Sequence, residues 1–222
     1  ARAAVLQRLH RGAARRKIDQ RHFAEAVARP ETAQQQRALP GPHARGDAPE
    51  PAAAYQPELF VADLGAVLDA FDTKRAVVGG LSMGAGIALR FALEHSERVS
   101  GLVLSAFPRA VDEPAHVPWA RGFADAIEAR GLEAAGQELI WGRFDARTAD
   151  LIKSGFLEHR PHALVHVLRE LIAQQPAPND MTGLTELAIP TLVIVGAEDL
   201  PSLGACRALG RLIPGANLVE IP

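Results

Sequence analysis

From about residue 56 onward, apolar and polar positions follow two alternating rhythms. PELFVADLGAVLDAF (57–71) places Leu59, Phe60, Leu64, Val67, Leu68 and Phe71 on one face at helical spacing, behind a helix-starting proline. RAVVGG (75–80) is a short continuous apolar run that reads as a buried strand. MGAGIALRFALEH (83–95) returns to helical spacing, and SGLVLSAF (100–107) is a second apolar strand. Residues 108 to about 187 carry helical patterns broken by Pro and Gly, near 117–130, 132–140, 146–157 and 161–174. The alternation then resumes: IPTLVIVGAEDL as strand and turn, SLGACRALGRLI as helix, ANLVEIP as a last strand. Helices alternating with continuous apolar strands predict the α/β class, a mostly parallel sheet with helices on both faces. The block 108–187 breaks this rhythm and is expected to be an inserted helical cap, leaving 47–107 and 188–222 as the core.

Residues 1 to about 46 differ in character. They are rich in Ala, Arg and Gln, and Val5, Ile18, Val27 and Thr32 are their only β-branched residues. Such text cannot build a buried strand. It reads as a poorly ordered or atypical basic segment, with a basic arm as the alternative. Over the whole chain, 222 residues with 48% hydrophobic content and a formal net charge of -2 describe a globular protein and argue against nucleic acid as partner. No run of 18 apolar residues occurs, so no membrane partner is expected, and no secretory h-region is seen. The single cysteine, Cys206, lies in a helical pattern among apolar neighbours and is expected to be a small buried side chain. It fits a reducing compartment, and a cytoplasmic location is expected.

The candidate chemistry sits in VVGGLSMGAG (77–86). Ser82 stands at the junction of a strand and a helix, flanked two positions away on each side by Gly80 and Gly84. A very sharp turn there would force the serine into a strained backbone conformation and lift its hydroxyl above the sheet edge. It would also bring the residues two before and two after so close that side chains collide. This is the G-x-S-x-G nucleophile elbow. Ala85 and Gly86 are expected to let the helix pack near the strand. The helix opening at Met83 aims free N–H groups at the same spot, which makes the Met83 amide a candidate oxyanion donor. A nucleophilic serine needs a base and an orienting carboxylate. TLVIVGAEDLP offers Asp199 just after a later strand, with Glu198 as a poorer choice; capping of the next helix is the alternative role for Asp199.

GGLSMGAGIALRFALEHSERVSGLVL, IPTLVIVGAEDLPS and IPGANLVEIP together resemble the α/β-hydrolase superfamily, above all its small cap-bearing esterases, enol-lactonases and related hydrolases. The resemblance runs over roughly 46–222, where GDAPEPAAAYQPELFVADL is similar to the stretch after the family's G-H-G-x-S turn. It implies that Ser82 attacks a carbonyl, that a histidine takes its proton, that Asp199 orients the histidine, and that Met83 gives one of two oxyanion amides. A serine in place of aspartate argues against haloalkane dehalogenation. The implied substrate is a small carboxylic ester or lactone, and no metal or organic cofactor is implied. Trp119, Phe123, Trp141, Phe144 and Phe156 favour a partly apolar substrate, although core filling is the better reading of these aromatics.

Two departures stand against the family pattern. Its histidine follows the last strand in a G-x-G-H-like turn, and no histidine follows Asp199 here. Its first strands and His-Gly turn are not found in 1–46, where PGPHARG (40–46) has similar letters out of register. The expectation is an α/β-hydrolase fold with first strands and final His segment missing, its upstream text read from a shifted frame or mis-joined. His10, His22 and His43 lie in that upstream text, His95 ends the helix after the elbow, and His116 and His159 fall in or beside the cap. His162 and His166 share a helical face at metal-ligand spacing without further ligands. A non-catalytic or degenerate α/β-hydrolase-like binding protein is the alternative function. Residues 1–222 are expected to turn over an activated ester no faster than a Ser82→Ala control, since losing the base costs on the order of 10⁶ in kcat; clear Ser82-dependent turnover would reverse this.

Overall fold

The computed structural model describes residues 48–108 and 116–222, all within one compact unit, Leu39–Pro222. The expected basic segment, with His10, His22 and His43, lies outside the described residues. After a 3-10 turn at Ala52–Tyr55 come α1 (Pro57–Ala70), β1 (Ala76–Leu81), α2 (Met83–Glu94) and β2 (Val99–Ser105). Four helices follow: α3 (His116–Arg130), α4 (Leu132–Leu139), α5 (Ala146–Leu157) and α6 (Pro161–His166). A π-type turn at Val167–Ile172 continues α6, and β3 (Thr191–Gly196), α7 (Leu200–Leu212) and β4 (Asn217–Ile221) complete the chain.

The four strands form one parallel sheet in the order β1-β2-β3-β4. Because side chains alternate between faces, register decides which residues meet a helix. Gly80, Leu104, Val193 and Leu218 stand side by side in one row. With Val78 and Leu102 they join Leu89, Phe91, Ala205 and Leu209 from α2 and α7 in the main core. The neighbouring row, Leu81, Ser105, Ile194 and Val219, points to the other face, where Leu81 is 67% exposed and the rest are half-buried. Among the described residues the helices gather on the first face.

Helix α1 turns differently from its sequence pattern. Val61 and Leu68 are its buried apolar side chains, whereas Leu59 and Phe71 are exposed. The stripe facing the core runs through Val61, Leu64, Gly65 and Leu68, and Gly65 comes within 3.7 Å of the Phe91 ring for an added Cβ. The buried stripe is therefore rotated from the predicted face, toward Val61 and away from Leu59 and Phe71.

Helices α3 to α6 build a core of their own from Phe123, Ile127, Leu132, Leu164 and Leu168. The Phe123, Phe156 and Trp141 rings follow one another at 6.2 and 5.9 Å between centroids. Trp141 and Phe123 are each 1% exposed, so these aromatics fill that core, while Trp119 and Phe144 reach solvent. Arg169 in the π-type turn donates to Glu128 on α3 at 2.7 and 2.8 Å and also binds Asp125, which holds the last turn against the first helix.

The two faces of the sheet give contrasting expectations. Leu104→Ala empties a fully buried site and should cost about 3 kcal/mol. Leu81→Ala, one residue before Ser82, should stay within about 0.5 kcal/mol. Urea unfolding of both variants measures the difference.

Candidate active site

The candidate serine occupies the first position past β1. Its amide donates to the Ser105 carbonyl at 2.9 Å, extending the β1–β2 ladder by one residue. Its carbonyl accepts from Ala85 at 2.9 Å and Gly86 at 3.3 Å, which opens α2. To serve a ladder and a helix with no residue between them, Ser82 takes φ 52°, ψ -116°. Positive φ is costly for a residue with a Cβ, on the order of 1–3 kcal/mol, and persists only where the surroundings enforce it. The side chain is exposed at the carboxyl end of the sheet.

The two elbow glycines are not equivalent. A Cβ at Gly80 would overlap the carbonyl group of Gly84 and stand 2.6 Å from the Ala85 amide nitrogen. A Cβ at Gly84 would meet nothing within 4 Å. The collision expected on both sides therefore exists on one, because the helix backbone folds over Gly80 while Gly84 turns its free side outward. Gly86 also departs from expectation. It does not ease the approach of helix to strand; an added Cβ would land in the carboxamide of Gln175. Ala85 is fully buried in the main core.

The Met83 amide lies in the first turn of α2, where backbone donors have no acceptor within the helix. Its side chain packs into an apolar cluster with Tyr55, Ala163, Val167 and Leu171, beside the serine. Tyr55 is fully buried and its hydroxyl donates to the Pro49 carbonyl at 2.7 Å. Burial, and then the nearby Glu50 carboxylate, hold its phenol above the usual range.

Asp199 follows β3 at the same end of the sheet and precedes α7. Its backbone carbonyl accepts from Ser202 and Leu203, yet its carboxylate accepts no hydrogen bond from the helix it precedes. Side-chain capping thus leaves the carboxylate uncommitted. Strand spacing puts the ends of β1 and β3 about 10 Å apart, so a third group must stand between Ser82 and Asp199 for a proton relay. Glu198 is exposed. Cys206 is fully buried near Asp199, accepts the Phe107 amide at 3.3 Å, and is pushed up from the ordinary thiol value by burial.

Five histidines lie among the described residues. His95 ends α2 with its ring 5.0 Å from Phe91. His116 Nε2 lies 3.1 Å from the Ile172 carbonyl, and His159 Nδ1 3.0 Å from that of Gly155. His166 Nε2 reaches the Glu50 carbonyl at 3.0 Å, and His162 Nε2 stands 3.9 Å from the Glu50 carboxylate. Among the described residues, no group of three or more metal-ligating side chains is placed to hold an ion. An open groove of about 810 Å³, lined by Arg75, Glu97, Glu186 and Ile189, lies at the amino ends of the strands, away from Ser82.

A serine held at positive φ between a parallel strand and a helix N-terminus is the geometry expected of the elbow. The model of the alpha/beta hydrolase family matches residues 10–222. The chain belongs to that family. A Bacillus subtilis protein named as a 2-succinyl-6-hydroxy-2,4-cyclohexadiene-1-carboxylate synthase is 25% identical over 191 residues, 81% of this chain and 69% of its own. A thermophilic esterase from Thermogutta terrifontis superimposes with a TM-score of 0.66 at 26% identity, over 81% of this chain and 68% of its own. The enol-lactonase from Burkholderia xenovorans LB400 shares the fold, with a TM-score of 0.66 at 23% identity over 81% and 69% of the two chains. Among the described residues no helix of this hydrolase-family chain is long and apolar enough to cross a membrane.

Sequence reading had no signal for two features of this site. Ala106, just past β2 and beside the elbow, has φ 46° without being glycine. Gln175 is a buried polar residue in a Pro-rich stretch that reads as a connection.

The unequal glycines yield a direct test. Gly80→Ala should destabilise by about 3 kcal/mol through overlap with backbone that cannot yield. Gly84→Ala should be neutral or stabilising by up to about 1 kcal/mol, as alanine is favoured over glycine within a helix. Thermal melts of the two variants would show equal losses if the turn closed on both glycines alike.

Proposed function

We propose that this protein is a serine hydrolase of small carboxylic esters or lactones, with Ser82 as nucleophile and Asp199 as the acid that orients a histidine base. The observation that carries the reading is Ser82 itself, exposed at φ 52° where β1 runs into α2. The strained turn presents Oγ to a carbonyl carbon at the mouth of the sheet. The alkoxide formed on attack lies by the Met83 amide and the positive end of the α2 dipole, which stabilise charge that develops only in the transition state. The acyl group passes to Ser82 Oγ, the alcohol leaves with the proton taken from the serine, and water releases the acid.

The helices α3 to α6, set between β2 and β3, act as a cap. Met83 and Ile87 with Val167 and Leu171 form an apolar wall beside the serine, which supports a small, partly apolar acyl group. Likeness to the named esterase and lactonase favours this substrate class without separating its members, since chemistry within the fold varies with the pocket.

A degenerate binding protein of the same fold is the second reading. It is favoured by the contacts of His116, His159 and His166 with backbone carbonyls, which occupy one ring nitrogen of each.

A phosphonate probe with peptide mapping distinguishes the two readings, run with and without imidazole as an external base. The hydrolase reading expects an adduct at Ser82 that forms faster with imidazole and disappears in Ser82→Ala, while ester turnover without imidazole stays at the level of that variant. Absence of any Ser82 adduct under both conditions leaves the binding reading.

A further inference from the structure

The segment that closes the α3–α6 insertion is fastened to the elbow at one unusual point. In the π-type turn Val167–Ile172, the Ala173 amide donates to the Leu168 carbonyl five residues back at 2.9 Å. Such wide turns are uncommon and frequently mark functional sites. Here the turn exposes the Ile172 carbonyl, which receives the Gln175 amide at 3.3 Å and lies 3.1 Å from His116 Nε2 at the start of α3. The first and last elements of the insertion thus meet at one oxygen.

From that node the Gln175 side chain runs into the core and is 7% exposed. Its carboxamide lies in the space where Gly86 lacks a side chain, one turn into α2 from Ser82. Pro57, Ile87, Arg90, Leu171 and Met181 surround the contact. An amide end on a surface would simply swing away from an added methyl. This one is buried beside a cavity of only about 20 Å³, so making room for a methyl moves either the carboxamide or the insertion that carries it.

The geometry points to Gln175 as a positioning residue: seated on Gly86, it locks the helical cap to the nucleophile helix and so sets the height of the cap's apolar wall over Ser82. The assignment of a pocket to that wall rests on the serine-hydrolase reading; the lock itself does not. Gln175 touches no reacting atom and acts through the placement of Leu171 and Ile172 beside Met83.

The chain supplies its own reporter, because both tryptophans, Trp119 and Trp141, lie in the insertion. In the parent protein, urea unfolding followed by tryptophan emission and by far-ultraviolet circular dichroism should coincide. In Gln175→Ala and in Gly86→Ala the emission transition should move to lower urea than the dichroism transition. In the double variant Gly86→Ala/Gln175→Ala the methyl replaces the departed carboxamide, and the two transitions should draw together again. Transitions that coincide in both single variants overturn the lock.

Nitrophenyl esters of increasing acyl length supply the second arm. With imidazole as external base, Gln175→Ala should change the ratio of Ser82-dependent turnover between hexanoyl and acetyl esters by about 10-fold, with the rate on the acetyl ester held within about 2-fold. An unchanged length profile alongside a lowered melting temperature overturns the positioning role and leaves Gln175 as packing alone. Imidazole-assisted ester turnover that is unchanged in Ser82→Ala removes the hydrolase reading instead, while the tryptophan arm still judges the lock.

Discussion

The candidate active end of this molecule depends on a steric exclusion. Gly80 has no Cβ, and the backbone of Gly84 and Ala85 occupies the space one would fill. That approach lets α2 begin immediately after β1, and the missing connection drives Ser82 to positive φ. The strain is sustained by ordinary bonds on either side, the ladder bond to Ser105 and the first-turn bonds to Ala85 and Gly86. Neither could be made from a relaxed serine without a longer loop. The same geometry that strains the residue also exposes its hydroxyl and directs helix amides toward it, so fold and chemistry share one constraint.

The rest of the core keeps that turn closed. Ala85, Ala88 and Leu89 of α2 sink into the row formed by Leu104 and Val193, so the helix cannot slide away from the strand end. Asp199 arrives at the same end because β3 is parallel to β1 and two places along the sheet. A parallel sheet delivers every strand-to-helix loop to one edge, which is where open α/β sheets bind ligands.

The insertion follows a different logic. Its aromatics satisfy their own cluster, and its ties to the sheet domain include the contacts of Val167 and Leu171 with Met83, Gln175 against Gly86, and Leu184 and Leu187 in the main core. Gln175 stands buried at that junction, so its side chain bears on the space above the serine.

The sequence by itself determined the order of elements, the parallel class and the elbow. These depend on local signals: apolar runs of strand length, helical spacing, and a glycine required two residues before Ser82. It also placed Asp199 just after β3, because chain order follows topology. Tertiary structure decided the rest. Which face of α1 is buried was settled by its packing on the main core, through contacts between residues far apart in the chain. The unequal demands on Gly80 and Gly84 arose from how the helix lies over the strand, although the motif treats the two alike. The purpose of Gly86 was invisible until Gln175, almost ninety residues later, came to rest on it. Spacing reports periodic contacts, whereas a pocket is made where unrelated segments meet, and only packing brings those together.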